Sequence, residues 1–222
     1  MRTLKFPTAV ASAFLASAVV GALTLAGPAP IAVESHGHHS AEAHASWANG
    51  AETVIDLVRD SAIVVRAQAV DRGETRSFWQ PAPNGAQRAP FVFTDTEIEV
   101  LEVFRGDVEV GDRLQVMQTG GEYTLKNGTV NLVEMNDDPI YRFGDEMVLF
   151  LADISGDSVH AADRQLFRTV NPMGRFQVQG TTVQRPGHRT QLKGAERVAD
   201  LGSLSAEIQA AVSEIDALES ER

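Results

Sequence analysis

The pattern of apolar and polar residues divides the chain into an apolar N-terminal run, a polar segment, a series of short strands and a terminal helix. Residues 62–70 are β-branched and almost continuously apolar, which predicts a strand buried on much of both faces. At residues 95–100 apolar positions alternate with acidic ones, and the period slips at Leu101, which predicts a second strand bent by a β-bulge. Residues 147–151 form the most hydrophobic strand pattern after the N-terminal run and are predicted to be central.

Weaker patterns predict the helices and one long connection. Helical spacing of apolar residues at 52–59 predicts one or two turns of helix. Residues 71–90 are rich in Pro and Gly, show no sustained period, and are predicted to form a long loop. From Ser203 the chain is predicted to form an amphipathic helix, because one stripe of it is apolar: Leu204, Ile208, Ala211, Val212, Ile215 and Leu218.

The remaining short patterns complete a mainly β chain. They predict a strand at residues 113–118, a hairpin over residues 123–133 with its turn at 126–128, a hairpin over residues 167–178, and a further strand at 181–183. The predicted fold is a small closed or partly open antiparallel barrel with a short N-terminal helix and a C-terminal amphipathic helix. A barrel is favoured over an open sheet because closure removes exposed strand edges.

The N-terminus has the pattern of an export signal. Arg2 and Lys5 precede an uncharged run of Ala, Val, Leu and Phe that extends to Ala26, where small residues offer a cleavage site. An uncleaved membrane anchor is the alternative, since the apolar run is nearly long enough to span a bilayer. The predicted organisation is a signal peptide at residues 1–26, a flexible His-rich leader at 27–50, a barrel domain at 51–185, a linker at 186–202 and a helix at 203–222.

Composition narrows the class of protein and its location. The 222 residues include no cysteine, which excludes a disulfide scaffold, a thiol enzyme and an iron–sulfur protein. An exported chain without cysteine, with many more Arg than Lys, is typical of a bacterial protein and predicts a secreted, extracytoplasmic location. The formal net charge of −11 argues against nucleic acid, and against a membrane surface after signal cleavage, as partners.

Three segments carry a family resemblance. A Ser-Asp-like step at Asp60-Ser61 precedes the Val-rich first strand, a Thr-initiated strand from Thr96 ends in the basic-Gly turn Arg105-Gly106, and residues 144–146 read Gly-Asp-Glu before the central strand. In this order the chain resembles secreted bacterial proteins of unknown function that share the oligonucleotide/oligosaccharide-binding (OB) type of barrel found in netrins and tissue inhibitors of metalloproteases. The resemblance implies a fold but not protease inhibition, because the family's cysteine framework and N-terminal cysteine are absent here.

Two kinds of chemistry give alternative functions, an extracytoplasmic metal-handling protein that uses the His-rich leader and a hydrolase. His36, His38, His39 and His44 could bind zinc or copper through neutral imidazoles, although a segment predicted to be flexible lacks the surroundings that fix metal ligands. A solvated leader without a cofactor is the alternative. Ser158, His160 and Asp163 are close in sequence, but no Gly-x-Ser-x-Gly elbow occurs, so a hydrolase is the weakest hypothesis and no enzymatic activity is expected.

Aromatic residues give the leading functional hypothesis. Phe78 and Trp79 stand in the polar loop after the first strand, and barrels of this type bind ligands through that loop. With Tyr123 they are candidates to contact an extracellular protein or glycan, which makes the chain a secreted, non-enzymatic binding module. The alternative is that Phe78 and Trp79 fold back over the barrel end and are buried in its core.

Overall fold

The structure is a computed structural model of the 222-residue chain. It describes residues 39–43, 50–51, 53–79, 90–135, 138–157, 164–185 and 200–221, with the backbone alone for residues 39–43. The helices are α1 (Val54–Asp60) and α2 (Leu201–Ser220), and Pro172–Gly174 forms a short 3-10 helix. The strands are β1 (His39–Ala43), β2 (Ile63–Phe78), β3 (Phe91–Arg105), β4 (Arg113–Thr119), β5 (Gly121–Thr124), β6 (Val130–Met135), β7 (Glu146–Asp153), β8 (Phe167–Thr169), β9 (Arg175–Gln179) and β10 (Thr182–Gln184).

Five strands close into a ring in the order β7, β2, β3, β4, β8 and back to β7. Neighbouring strands are antiparallel except β4 and β8, which are parallel and meet at Val116 and Phe167. The mainly β class and the C-terminal helix are therefore confirmed, but the antiparallel barrel is wrong in one pairing. A closed ring with an odd number of strands must contain at least one parallel pair.

Strand β2 is longer than its pattern indicates. Its partner β7 covers Ile63–Gln68, while β2 continues alongside β3 as far as Phe78 opposite Phe91. The predicted loop at residues 71–90 is thus wrong for residues 71–78, because register shifts after Ala69 and Arg72 break the period of two that identifies a strand. We call residues 72–78 of β2 and 91–96 of β3 the hairpin arm.

The β-bulge predicted at Leu101 is confirmed. Ala67 lies opposite Val100 and Arg66 opposite Glu102, so Leu101 has no partner on β2. The extra residue lets β3 bend as it passes around the ring.

Two apolar cores lie on opposite sides of the ring strands. Ring strands fill the interior with alternate side chains, among them Val65, Ile98, Val116, Leu149 and Phe167. Outward side chains of β2 and β7, such as Val64 and Phe150, pack against α1, α2 and β9 in the second core. The stripe of α2 that is buried there includes Leu204, Ile208, Ala211 and Ile215, as its apolar period predicts.

A smaller sheet of β1, β6 and β5 stands beside the ring. The β5–β6 hairpin is where the sequence predicts it, and Gly128 in its turn has a φ of 84°, which glycine adopts without strain. Strand β1 pairs parallel with β6. The prediction of a flexible leader over residues 27–50 is therefore wrong at residues 39–43, where the open edge of β6 supplies backbone partners that the sequence pattern does not reveal.

The end of the chain differs from its prediction in two details. Strands β8 and β9 do not form a hairpin, because both pair with the same edge of β7. Helix α2 begins at Leu201, capped by Asp200, rather than at residue 203. Residues 1–26 and 186–199 lie outside the described residues. In the part of the chain that the structure describes, no helix has the length and apolarity required to cross a membrane.

Candidate functional site

The free end of the hairpin arm gathers aromatic side chains on one face. Phe78 is opposite Phe91 and Arg76 is opposite Phe93, so all four share that face of the two strands. The rings of Phe78 and Phe93 meet edge to face, with their centroids 5.6 Å apart. Phe91 is 55% exposed, so an apolar ring at this end is accessible to a ligand.

Trp79, which directly follows β2, forms a second aromatic pair with the smaller sheet. Its indole meets the ring of Tyr123 on β5 edge to face, at a centroid distance of 6.1 Å and an interplanar angle of 74°. Trp79 is 41% exposed and Phe78 is half-buried, so Trp79 does not lie inside the barrel core. Edge-to-face pairs hold rings in fixed orientations. We call Phe78, Trp79, Phe91, Phe93 and Tyr123 the aromatic cluster.

Glycine allows β5 to approach the arm closely enough to place Tyr123 beside Trp79. At Gly121, where φ is 133°, a Cβ atom would lie 2.2 Å from Oγ1 of Thr94 on β3. On the other strand of the smaller sheet, Asn131 donates a hydrogen bond from Nδ2 to the Tyr123 hydroxyl at 3.2 Å. Tyr123 is therefore held by its neighbour on β6 and by the indole of Trp79.

A buried carboxylate anchors the same face of the arm. Asp95 is 1% exposed and accepts a hydrogen bond from Nη2 of Arg76 at 2.8 Å through one oxygen, while Arg164 donates to its other oxygen. The Arg76 guanidinium also lies 5.8 Å from the centroid of the Phe78 ring. Because one carboxylate is bonded to two guanidinium groups, the arm and the segment that contains Arg164 are tied together on the face that carries Phe78 and Phe93.

A second, buried polar network connects β4 and β9 through residues 138–141. Arg175 donates to Oδ1 of Asp138 at 3.3 Å and to the Pro139 carbonyl, and its guanidinium carbon lies 4.3 Å from the centroid of the Tyr141 ring. Gln118 joins both halves: its Nε2 donates to Asp138 at 3.2 Å, and its Oε1 accepts from the Tyr141 amide at 2.8 Å.

The ionisation of this network is set by burial. Burial raises the pKa of Asp138 above its usual value, although the adjacent Arg175 guanidinium acts in the opposite direction. Burial also raises the pKa of the Tyr141 hydroxyl. Asp138, Tyr141 and Arg175 are each at most 2% exposed, so they hold the barrel end together and do not reach a substrate in solution.

The histidines and the weak hydrolase candidates lie elsewhere. His36, His38 and His44 are outside the described residues, and His39 is the first residue of β1, where only the backbone is described. Ser158, His160 and Asp163 are outside the described residues as well. Within the described ranges, no three His, Asp or Glu side chains are grouped closely enough to hold a metal ion.

Of the three predicted contact residues, Trp79 and Tyr123 pack against each other, whereas Phe78 packs against Phe93. Phe91 and Phe93 are two further aromatic residues that the sequence reasoning missed. Phe91 and Phe93 were missed because the preceding segment reads as a loop. Their alternation around Val92, directly after Pro90, is a strand signal that identifies them in retrospect.

Comparison of the chain with protein-family models, with curated proteins and with solved structures found no match.

Proposed function

We propose that this protein is an exported, extracytoplasmic binding module that acts without catalysis and contacts its ligand through the aromatic cluster. The observation that carries the proposal is the exposure of Trp79, at 41%, and of Phe91, at 55%, on an arm whose base is fixed by the buried Asp95. Large aromatic side chains on a rigid support contribute much of the binding energy in protein interfaces, because little conformational entropy is lost when they are covered.

The strand order supports an OB-type barrel as the setting for that surface. Barrels of that type have five strands in a Greek-key arrangement and bind ligands through the connection between the first and second strands. In this chain the first two ring strands are β2 and β3, and Trp79 is the first residue after β2. The aromatic cluster therefore coincides with the ligand side expected for such a barrel.

Charge narrows the ligand to a protein or a glycan. The chain carries 30 acidic against 19 basic residues, and nucleic acids and anionic lipids need basic surfaces. In the aromatic cluster, apolar rings lie close to hydrogen-bonding groups such as Asn131 and the Tyr123 hydroxyl. That combination suits an uncharged saccharide or a mixed protein surface.

Tryptophan fluorescence tests the proposal directly. Trp47→Phe leaves Trp79 as the single indole of the chain. Purified protein is screened against chito-oligosaccharides, peptidoglycan fragments and the proteins of the organism's own culture medium, and each positive is titrated while the Trp79 emission is followed. We expect a ligand that changes this emission, with its affinity reduced at least about tenfold by Trp79→Ala or Phe91→Ala.

The chain offers a matched control for these substitutions. Phe143 is 80% exposed in the turn before β7 and belongs to no aromatic pair in the described part of the chain, so Phe143→Ala removes an equally apolar surface elsewhere. Because Phe91 and Phe143 are more than half exposed, their alanine variants should retain stability within about 0.5 kcal/mol. Trp79→Ala also loses the pair with Tyr123, worth about 0.5–1.5 kcal/mol, so circular dichroism checks that this variant is folded before titration. A ligand whose affinity responds equally to Phe143→Ala and Trp79→Ala would place the binding surface elsewhere.

A further inference from the structure

The outer edge of β6 is covered by a short segment of the same chain. Strand β1 pairs parallel with β6 over five residues, from His39 opposite Asn131 to Ala43 opposite Met135. In the described part of the chain, β6 is the one strand with which β1 pairs. The sheet thus consists of the β5–β6 hairpin and a strand from far upstream that is added to its edge.

The β5–β6 hairpin has a physical need for that third strand. Two-stranded hairpins are marginally stable in water, and a third strand satisfies the backbone groups along an otherwise open edge. Any extended segment in the right register meets this need, because the bonds along the edge are made by the backbone and do not depend on the side chains.

The segment that now occupies the edge is a weak strand former. Its sequence, His-Ser-Ala-Glu-Ala, contains no β-branched or large aromatic residue, and Ala and Glu are depleted in strands. Parallel pairing is also slightly less stable per residue than antiparallel pairing. A segment with stronger strand propensity is therefore expected to bind the same edge more tightly.

The register identifies the two positions at which a different residue would stabilise the pairing most. Ala41 lies opposite Val133 and Ala43 opposite Met135, and these two positions share one face of the sheet. Val133 is half-buried and Met135 is buried, so this face of β6 is turned to the protein rather than to solvent. Cross-strand pairs with a β-branched residue are more stable than pairs with alanine, so valine at these two register positions is expected to strengthen the pairing with β6.

We propose that the outer edge of β6 is a peptide-binding edge that residues 39–43 occupy in cis. Its partner is an extended segment of another protein that adds parallel to β6 and carries β-branched residues at the positions of Ala41 and Ala43. The cis strand lowers the apparent affinity for that segment, because a tethered competitor is present at high effective concentration.

The test uses the full chain and a fluorescein-labelled peptide of residues 38–44 with valine at positions 41 and 43. Ala41→Pro weakens the cis strand, since proline lacks an amide hydrogen and is tolerated poorly in a ladder. We expect this variant to bind the peptide at least about tenfold more tightly than the unaltered chain, as measured by fluorescence anisotropy. Combined Ala41→Val and Ala43→Val strengthens the cis strand and should weaken peptide binding below that of the unaltered chain.

Hydrogen exchange measures the same edge without a peptide. Backbone amides of residues 131–135 should exchange faster in the Ala41→Pro chain and slower in the double valine chain. Ala41→Gly lowers strand propensity but keeps the amide, and it replaces Ala41→Pro if the proline variant does not fold. The glycine variant should also bind the peptide more tightly than the unaltered chain. Phe91→Ala should leave peptide binding unchanged, because Phe91 lies on β3 opposite Phe78 of β2, and this control separates the edge from the aromatic cluster.

Two outcomes would overturn the assignment. Equal peptide affinity across the proline, glycine and valine variants would show that residues 39–43 do not compete for the site. Concentration-dependent dimers of the double valine chain, with no binding of the peptide by any variant, would assign the edge to a second copy of this chain instead.

Discussion

Among single residues, Gly73 shows how closely the two strands of the hairpin arm, β2 and β3, approach each other. A Cβ atom at this position would lie 1.9 Å from the carbonyl oxygen of Asp95 and 2.9 Å from its carbonyl carbon. Both atoms belong to the backbone of β3 and cannot move aside without distorting the ladder. The close approach also places Asp95 where Arg76 can bond to it.

Gly73→Ala should therefore lower the free energy of unfolding by about 3 kcal/mol, the upper range for overpacking. Urea unfolding followed by circular dichroism measures this change. Gly50→Ala is the matched control, because nothing lies within 4 Å of the added methyl group and that variant should unfold at the same urea concentration as the unaltered chain or slightly above. An unchanged midpoint for Gly73→Ala would show that β2 and β3 separate easily at the register shift between Arg72 and Thr75.

At the element scale, the cap of α2 depends on one carboxylate. Asp200 accepts hydrogen bonds from the Ser203 hydroxyl at 2.7 Å and from the Ser203 amide at 2.8 Å. The bond from the hydroxyl has the larger effect, and together the two bonds lower the pKa of Asp200 below its usual 3.8. A carboxylate with a lowered pKa stabilises the folded state above the pKa of the unfolded chain, and the contribution disappears as the pH falls through the folded pKa.

Asp200→Asn should thus lower the thermal midpoint at pH 7 and have a smaller effect at pH 3. Asparagine keeps one oxygen that can accept from the Ser203 amide, so the substitution removes the charge and the acceptor for the Ser203 hydroxyl but leaves the amide cap. Asp216→Asn removes the same charge from the exposed side of α2 and controls for net charge. The cap assignment fails if the midpoint difference between Asp200→Asn and the unaltered chain is the same at both pH values.

The elements also show which features can be predicted from sequence. The buried strand β7, the bulge at Leu101 and the stripe of α2 follow from local periods and were predicted. The second half of β2 was missed because its bulges break the period, and β1 because it depends on β6, which lies far along the chain. Strand order in particular depends on long-range pairing, to which local periods contribute little.

In the candidate site, too, some residues could be predicted from the sequence and others could not. Exposed Trp and Tyr in polar surroundings drew attention to Trp79 and Tyr123, and the structure places their rings in contact. The ion pairs of Asp95 beside Phe78 were not predictable, because Asp95 resembles the other outward acids of β3 and only the fold buries it between Arg76 and Arg164.

At the scale of the whole molecule, the ion pair inside the barrel connects segments that are far apart in sequence. Arg175 begins β9, Asp138 follows β6, and Gln118 near the end of β4 bonds to Asp138. A buried pair of charges is costly to remove from water, but removing one partner is worse because the other is left buried and uncompensated. The connection between β4, Asp138 and β9 therefore depends on both charges being present.

Arg175→Met should lower the free energy of unfolding by about 3–5 kcal/mol at pH 7, since Asp138 would remain buried without its cation. Because burial raises the pKa of Asp138 and loss of Arg175 removes the opposing effect, the variant can relieve the penalty by binding a proton. A carboxyl group with a raised folded pKa destabilises the fold increasingly as the pH rises above the unfolded value, so the loss should be smaller at pH 4 than at pH 7.

Adding Asp138→Asn to Arg175→Met should recover part of the stability at pH 7 and abolish this pH dependence. Chemical unfolding at the two pH values decides the matter: additive losses from the two substitutions would mean that Arg175 and Asp138 stabilise the barrel independently.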